Sequence, residues 1–172
     1  GHTGFKGSWL CLWLEKLGAE VSGISLDPSP KNNHWDLLNL SVNDYRFNIC
    51  DSNDLRDVFQ KVRPEIVFHL AAQSLVRESY INPIKTFNTN IQGTVEVLEA
   101  CRITDSVSAA ICITSDKCYL NKEWNWGYRE SDRLGGHDPY SASKACAELV
   151  AESYRKSFFS IDNGLLLATA RS

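Results

Sequence analysis

The sequence predicts a doubly wound α/β domain on a parallel sheet, from three observations: a glycine-rich turn running into an apolar helix, a regular alternation of strand-like and helix-like segments, and strand segments of unbroken apolar character. The opening "GHTGFKGSWL" places Gly1, Gly4 and Gly7 where the backbone must bend sharply and a helix must pack closely on a sheet. The helix follows, with Trp9, Leu10, Leu12, Trp13, Leu14 and Leu17 apolar and Gly18 as its stop signal. A strand is predicted in "AEVSGISLD" and another in "YRFNI", then a helix in "NDLRDVFQKV". "EIVFHLAA" and "SAAICITS" read as strands around a long helix, "TFNTNIQGTVEVLEACRI". A second long helix, "YSASKACAELVAESYRKSF", leads to a last strand in "NGLLLATARS". Ile66-Val67-Phe68 and Ile111-Cys112-Ile113 suit strands buried on both faces.

No repeat, low-complexity stretch or linker divides residues 1–172, so one domain is expected. A glycine turn of this kind normally follows a strand, and the chain contains no methionine. The expectation is therefore an incomplete domain whose first strand lies ahead of Gly1, with an opening in the sheet between the strands that end at Asp27 and at Ala71. At 43% hydrophobic and 23% charged residues, 172 residues suffice for a substantial core. A net charge of −3 offers no general attraction to nucleic acid or to an anionic membrane. Six cysteines without a CxxC pair read as reduced residues of a cytoplasmic protein, and four dispersed histidines give no metal site.

Three constellations bear on chemistry. After Gly4, the first turn of the helix offers unpaired N–H groups and a partial positive charge to a dinucleotide pyrophosphate. About twenty residues past Gly7, Asp27 ends the second strand, where a carboxylate accepts from the adenosine ribose and repels a ribose phosphate; NAD is favoured over NADP. The same residues also fit a plain tight turn and a loop cap before Pro28. Tyr140 and Lys144, at i and i+4, share a helix face, and an ammonium near a phenol favours the phenolate needed to take a proton from a hydroxyl. Such a pair also occurs on ordinary surface helices. Ser115, Asp116 and Lys117 in "ITSDKCY" lie just beyond an apolar strand, where parallel sheets place their ligands, or where a strand simply exits into solvent.

These residues resemble the extended short-chain dehydrogenase/reductases through the GxxGxxG turn, "HLAA" at 69–72 and YxxxK at Tyr140 and Lys144. Within that superfamily the chain resembles the nucleotide-sugar 4,6-dehydratases, most closely the branch acting on CDP-glucose, through "GHTGFKGSWL", "EIVFHLAAQSLVRESYINPIKTFNTNIQGT", "ITSDKCY", "EWNWGYRESD" and "GGHDPYSASKACAELV". The resemblance runs along essentially the whole chain.

It implies an NAD site formed by Gly1, Gly4, Phe5, Gly7, Asp27, Asn48, Ile49, Leu70, Ala71, Ala72, Tyr140 and Lys144. It implies substrate contacts at Gln73, Asn90 and Ser115, with Ser115 sharing the substrate hydroxyl's hydrogen bond with Tyr140. Asp116 and Lys117 take the positions of the elimination acid and base, and a lysine in that role requires a lowered pKa, from burial or a nearby cation. Many relatives acting on dTDP-glucose have glutamate at the Lys117 position. Asn48 replaces an aspartate usual in relatives, Ser74 a proline and Ser172 an alanine. The resemblance also implies a C-terminal substrate region outside this sequence. It implies a homodimer through helices 91–103 and 140–158, with Val95, Leu98, Cys101 and Leu149, Val150, Tyr154 on apolar stripes. Another nucleotide-sugar dehydratase or epimerase, acting on GDP-mannose or dTDP-glucose, is the near alternative, although Asp116-Lys117 argues against a plain epimerase. A noncatalytic NAD-binding domain is the far alternative.

Overall fold

A computed structural model describes residues 1–28, 33–159 and 164–172. Helix α1 (Phe5–Lys16) leads to β1 (Ser22–Ser25), a short α2 (His34–Leu38) and β2 (Asn43–Arg46). Then come α3 (Ser52–Val62), β3 (Ile66–His69), α4 (Val76–Ile81), α5 (Pro83–Phe87), a wide π-type turn at Asn88–Gln92 and α6 (Gly93–Arg102). β4 (Ala109–Thr114), a single 3₁₀ turn at Asp116–Cys118, α7 (Pro139–Ser157) and β5 (Leu166–Arg171) complete the chain.

All strand pairs are parallel, and they form two separate sheets, β1-β2 and β3-β4-β5. Between them lies a cleft of about 870 Å³, lined by Leu10 and Cys11 of α1, Ile24 of β1, and Ile66 and Phe68 of β3. The predicted opening between the strands leading to Asp27 and Ala71 is thus present. No helix of the described residues is long and apolar enough to cross a membrane.

The register of the larger sheet sorts its faces. Val67, Ala110 and Leu167 lie side by side, as do His69, Cys112 and Thr169. This face meets α3, α6 and α7 in a core of Leu55, Phe59, Val97, Leu98, Cys101, Ala110, Cys112, Ala151 and Leu167. Burial of this kind contributes about 25 cal/mol per Å² of apolar surface, and so dominates the stability of the domain. The opposite face corrects the expectation of strands buried on both sides. Ile66 is 54% exposed and Phe68 36%; in register with them Ala109 and Ile111 of β4 are half-buried, and beyond these Leu166 and Ala168 of β5 are exposed. The three helices that cover the sheet all pack on the Val67 face.

Four local expectations shift. The strand expected at 45–49 lies at Asn43–Arg46, because β1 supplies only four residues of register and the chain turns after Phe47, with Asn48 Oδ1 accepting from the Cys50 N–H at 3.1 Å. The helix expected over 86–103 starts at Pro83, where Asn82 caps the Lys85 N–H, and is interrupted by the wide turn. The expected last strand begins at Leu166, and Asn163 of its predicted string lies outside the described residues. Of the stripe residues assigned to a dimer, Leu98 and Cys101 are fully buried in the core, whereas Leu149 is 54% exposed.

Candidate functional site

The glycine turn is fixed by backbone and hydroxyl contacts. The Gly1 nitrogen donates to the Ile24 carbonyl, and Thr3 Oγ1 meets Ser25 Oγ at 2.6 Å and donates to the Leu26 carbonyl at 3.1 Å. The turn is therefore anchored to the end of β1. On its other side it abuts the end of β3, since a Cβ on Gly1 would lie 2.5 Å from the Ala71 nitrogen. A Cβ on Gly7 would run into the Gly1 carbonyl, so the helix approaches its own turn too closely for any side chain. No side chain caps the N-terminus of α1 behind Gly4. Its first-turn N–H groups and positive dipole end are thus left for an anion, and the turn fits a dinucleotide pyrophosphate. Phe5 is exposed at this helix start, and Asp27 is exposed just beyond β1. Asn48 is exposed after β2, whereas Ile49 is buried in the core. Leu70, Ala71 and Ala72 follow β3 and are half-buried.

Beyond Ala72 the loop is held by the amide of Asn90. Its Oδ1 accepts from the Gln73 N–H at 2.8 Å, and its Nδ2 donates to the Gln73 carbonyl at 3.0 Å and to Ser143 Oγ at 2.8 Å. Asn90 is 2% exposed and sits in the wide turn, so it ties the exit of β3 to α7 from inside the protein. The Gln73 side chain donates to the Leu75 carbonyl and to Thr86 Oγ1.

At the exit of β4, Ser115 is buried and caps the following turn, accepting from the Lys117 N–H at 3.3 Å and donating to Asp116 Oδ1 at 3.1 Å. That turn packs on α7. Asp116 and Lys117 are exposed, so the burial expected around Lys117 is not provided by this chain. Asp138 caps α7, with Pro139 in its first turn, and Tyr140 and Lys144 follow on the buried side of the helix. Lys144 Nζ donates to the Ile113 carbonyl of β4 at 3.3 Å. Burial pushes its ammonium down to about 8, with the Lys6 charge acting in the same direction. His69, at the end of β3, is buried and meets Thr94 Oγ1 at 3.0 Å. Burial, then the Lys144 charge, push this imidazole down to about 3.

Sequence reading missed Glu148 and Arg171. Glu148, 4% exposed, continues the Tyr140–Lys144 face by one turn. Burial works to raise its pKa, but hydrogen bonds from Arg171, Thr114 and Thr169 outweigh that and hold it below the usual range. The signal was a carboxylate at i+4 from Lys144 in a run of alanines and cysteine, on a stripe otherwise fit for a core.

The model of the family described as GDP-mannose 4,6 dehydratase matches residues 1–162. The chain is 49% identical over 178 residues to the CDP-glucose 4,6-dehydratase of Salmonella typhimurium, covering 100% of this chain and 50% of that protein. In structure it is similar to the UDP-glucose 4-epimerase of Thermotoga maritima solved with UDP-glucose, with a TM-score of 0.85, 26% identity, and coverage of 99% of this chain and 53% of that one. The UDP-glucose 4-epimerase of Thermus thermophilus in complex with NAD gives a TM-score of 0.82 at 26% identity, covering 99% and 52% of the two chains. The chain thus spans about half the length of the relatives it matches.

Proposed function

The chain belongs to the GDP-mannose 4,6 dehydratase family, and from that premise we propose that the protein carrying it is an NAD-dependent hydro-lyase converting CDP-glucose to CDP-4-keto-6-deoxyglucose. The observation that carries the reading is the packing of the Ser115-Asp116-Lys117 exit of β4 on the helix that holds Tyr140 and Lys144. The similarity to the Salmonella typhimurium enzyme supports the choice of sugar nucleotide. The NAD complex of the Thermus thermophilus relative supports the cofactor.

Gly1, Gly4, Phe5 and Gly7 would hold the pyrophosphate, Asp27 the adenosine ribose, and Asn48 and Ile49 the adenine end. Leu70, Ala71 and Ala72 would line the path toward the nicotinamide, whose ribose Lys144 would hold. When bound, NAD would supply the hydride acceptor for oxidation at the sugar's C4 and, once reduced, the hydride donor for C6. Tyr140 takes the C4 hydroxyl proton while Ser115 shares that hydrogen bond, and the Lys144 ammonium favours the phenolate. The ketone so formed acidifies the C5 proton, and Asp116 and Lys117 serve as acid and base for loss of water across C5 and C6. Gln73 and Asn90 shape the substrate end of the site from the loop they staple. We further propose a cytoplasmic homodimer. The six free cysteines suit a reducing compartment, and the partly open positions Val95 and Leu149 on α6 and α7 suit a subunit contact.

An isotope experiment tests the reaction. CDP-glucose deuterated at C4 should give product with deuterium at C6, with much less turnover of dTDP-glucose or GDP-mannose. Tyr140→Phe should lower turnover on the order of a hundredfold. Label returned to C4 would make the protein an epimerase, label released to the cofactor pool a simple dehydrogenase, and no transfer at all a binding domain.

A further inference from the structure

The stretch from Tyr119 to Leu134, which contains the distinctive "EWNWGYRESD", takes no part in the proton transfers above, yet a largely buried charge pair joins it to the helix that does. The Glu148 carboxylate accepts from Thr114 at the end of β4, from Thr169 of β5 at 3.0 Å and from Arg171 Nη2 at 2.9 Å. Arg171 directs its other nitrogen outward, donating from Nη1 to the Tyr119 hydroxyl at 2.7 Å and to the Glu130 carbonyl at 3.0 Å. Its guanidinium carbon lies 4.9 Å from the centre of the Tyr119 ring. Tyr119 stacks on Tyr128 at 5.0 Å with 12° between planes, and Trp124 lies 5.7 Å from Tyr128 on a tilted plane. The Tyr128 hydroxyl donates to Asn121 Oδ1 and accepts from the Lys122 N–H.

The residues held by this pair bracket the reactive turn. Thr114 immediately precedes Ser115, and Tyr119 immediately follows Cys118. Ser115, Asp116 and Lys117 therefore hang between two points fastened to one ion pair, which is itself rooted in the Tyr140–Lys144 helix. A buried ion pair seldom adds net stability over apolar side chains of similar size, because both charges lose their hydration. A guanidinium fork does fix direction, since its donors keep a rigid plane.

We propose that Glu148 and Arg171 are positioning residues: they dock the 119–134 segment on α7 and thereby set the Asp116–Cys118 turn against Tyr140 and Lys144. What is positioned rests on the dehydratase reading; the docking does not.

The test compares Arg171→Lys, Glu148→Gln, Arg171→Met and the double variant Glu148→Gln/Arg171→Met in the protein that carries this chain. In the double variant no buried charge is left unpaired, so its melting temperature should return close to that of the unaltered protein. Amide hydrogen exchange should nevertheless rise within 114–134 and not elsewhere. NAD affinity should stay unchanged, while kcat for CDP-glucose falls by about tenfold to a hundredfold. Arg171→Lys should not restore kcat, because an ammonium cannot span Glu148, Tyr119 and the Glu130 carbonyl in one plane. Exchange that stays unchanged, or that rises throughout the chain, overturns the proposal, as does full kcat in a variant whose 119–134 segment has come loose. An unaltered protein that turns nothing over defeats the dehydratase reading instead, and the docking then stands or falls on the local exchange alone.

Discussion

The region from Gly1 to Ile49 and the region from Ile66 to Arg171 each contribute to the proposed site, and they are held by different means. In the first, two four-residue strands pair, among the described residues, only with each other, and α1 leaves a stripe of Phe5, Trp9, Trp13 and Leu17 between 50% and 72% exposed. Its proposed functional feature is a backbone shape, the turn at Gly1 to Gly7, kept by main-chain proximity and Thr3. In the second, three strands with α6 and α7 enclose, together with α3, a continuous core. There the proposed functional features are side chains tied to polar partners: the loop at Gln73 to Asn90, Lys144 to the Ile113 carbonyl, and, in the proposal above, the turn after Ser115 to the Glu148–Arg171 pair. A cofactor grip made of peptide N–H groups requires only that nothing intrude. Proton transfer requires particular atoms at particular places, and buried polar groups fix these because leaving one unpaired costs about 1–3 kcal/mol.

Substitutions can break that contrast. Leu98→Ala, at a fully buried position of α6, should lower stability by about 2–5 kcal/mol, whereas Trp13→Ala on α1 should change it by no more than about 0.5 kcal/mol. Denaturant unfolding of both variants decides this, and equal losses would mean that the exposed stripe is packed in solution.

The second expectation is a pH dependence carried by His69 in the larger region. His69 is protonated at about pH 6.5 when unfolded but only at about 3 when folded, so between these values the unfolded chain binds the additional proton. Stability from this group is therefore complete above pH 6.5 and is lost as pH falls toward 3, by up to a few kcal/mol. His69→Gln should flatten the stability profile in that window. A slope identical to that of the unaltered protein would assign the acid sensitivity to other groups.

The smallest effect belongs to the first region. Asp27→Asn keeps the shape but removes the carboxylate that would meet the ribose, and should narrow the preference for NAD over NADP by about tenfold. Titration with both cofactors reads it directly, and an unchanged ratio would remove Asp27 from that role.

Much of this organisation is local and could be read from residue order. Gly1, Gly4 and Gly7 before an apolar helix, the Tyr140–Lys144 spacing, and the passage from Ile111-Cys112-Ile113 to Ser115-Asp116-Lys117 all rest on periodicity and backbone permissiveness, which act over a few residues. The tertiary structure decided what depends on a partner far along the chain. β2 starts at Asn43 because β1 offers only four residues to pair with, and Ile66 and Phe68 face the cleft between the two sheets, away from α3, α6 and α7. Asn90 reads as a helix residue until Gln73 and Ser143 surround it. Glu148 reads as a surface charge until Arg171, Thr114 and Thr169 converge on it. The physical reason is that a side chain's periodicity states which face it occupies, while its hydrogen-bond partners, separated by tens of residues, are brought to that face only when the sheet has formed.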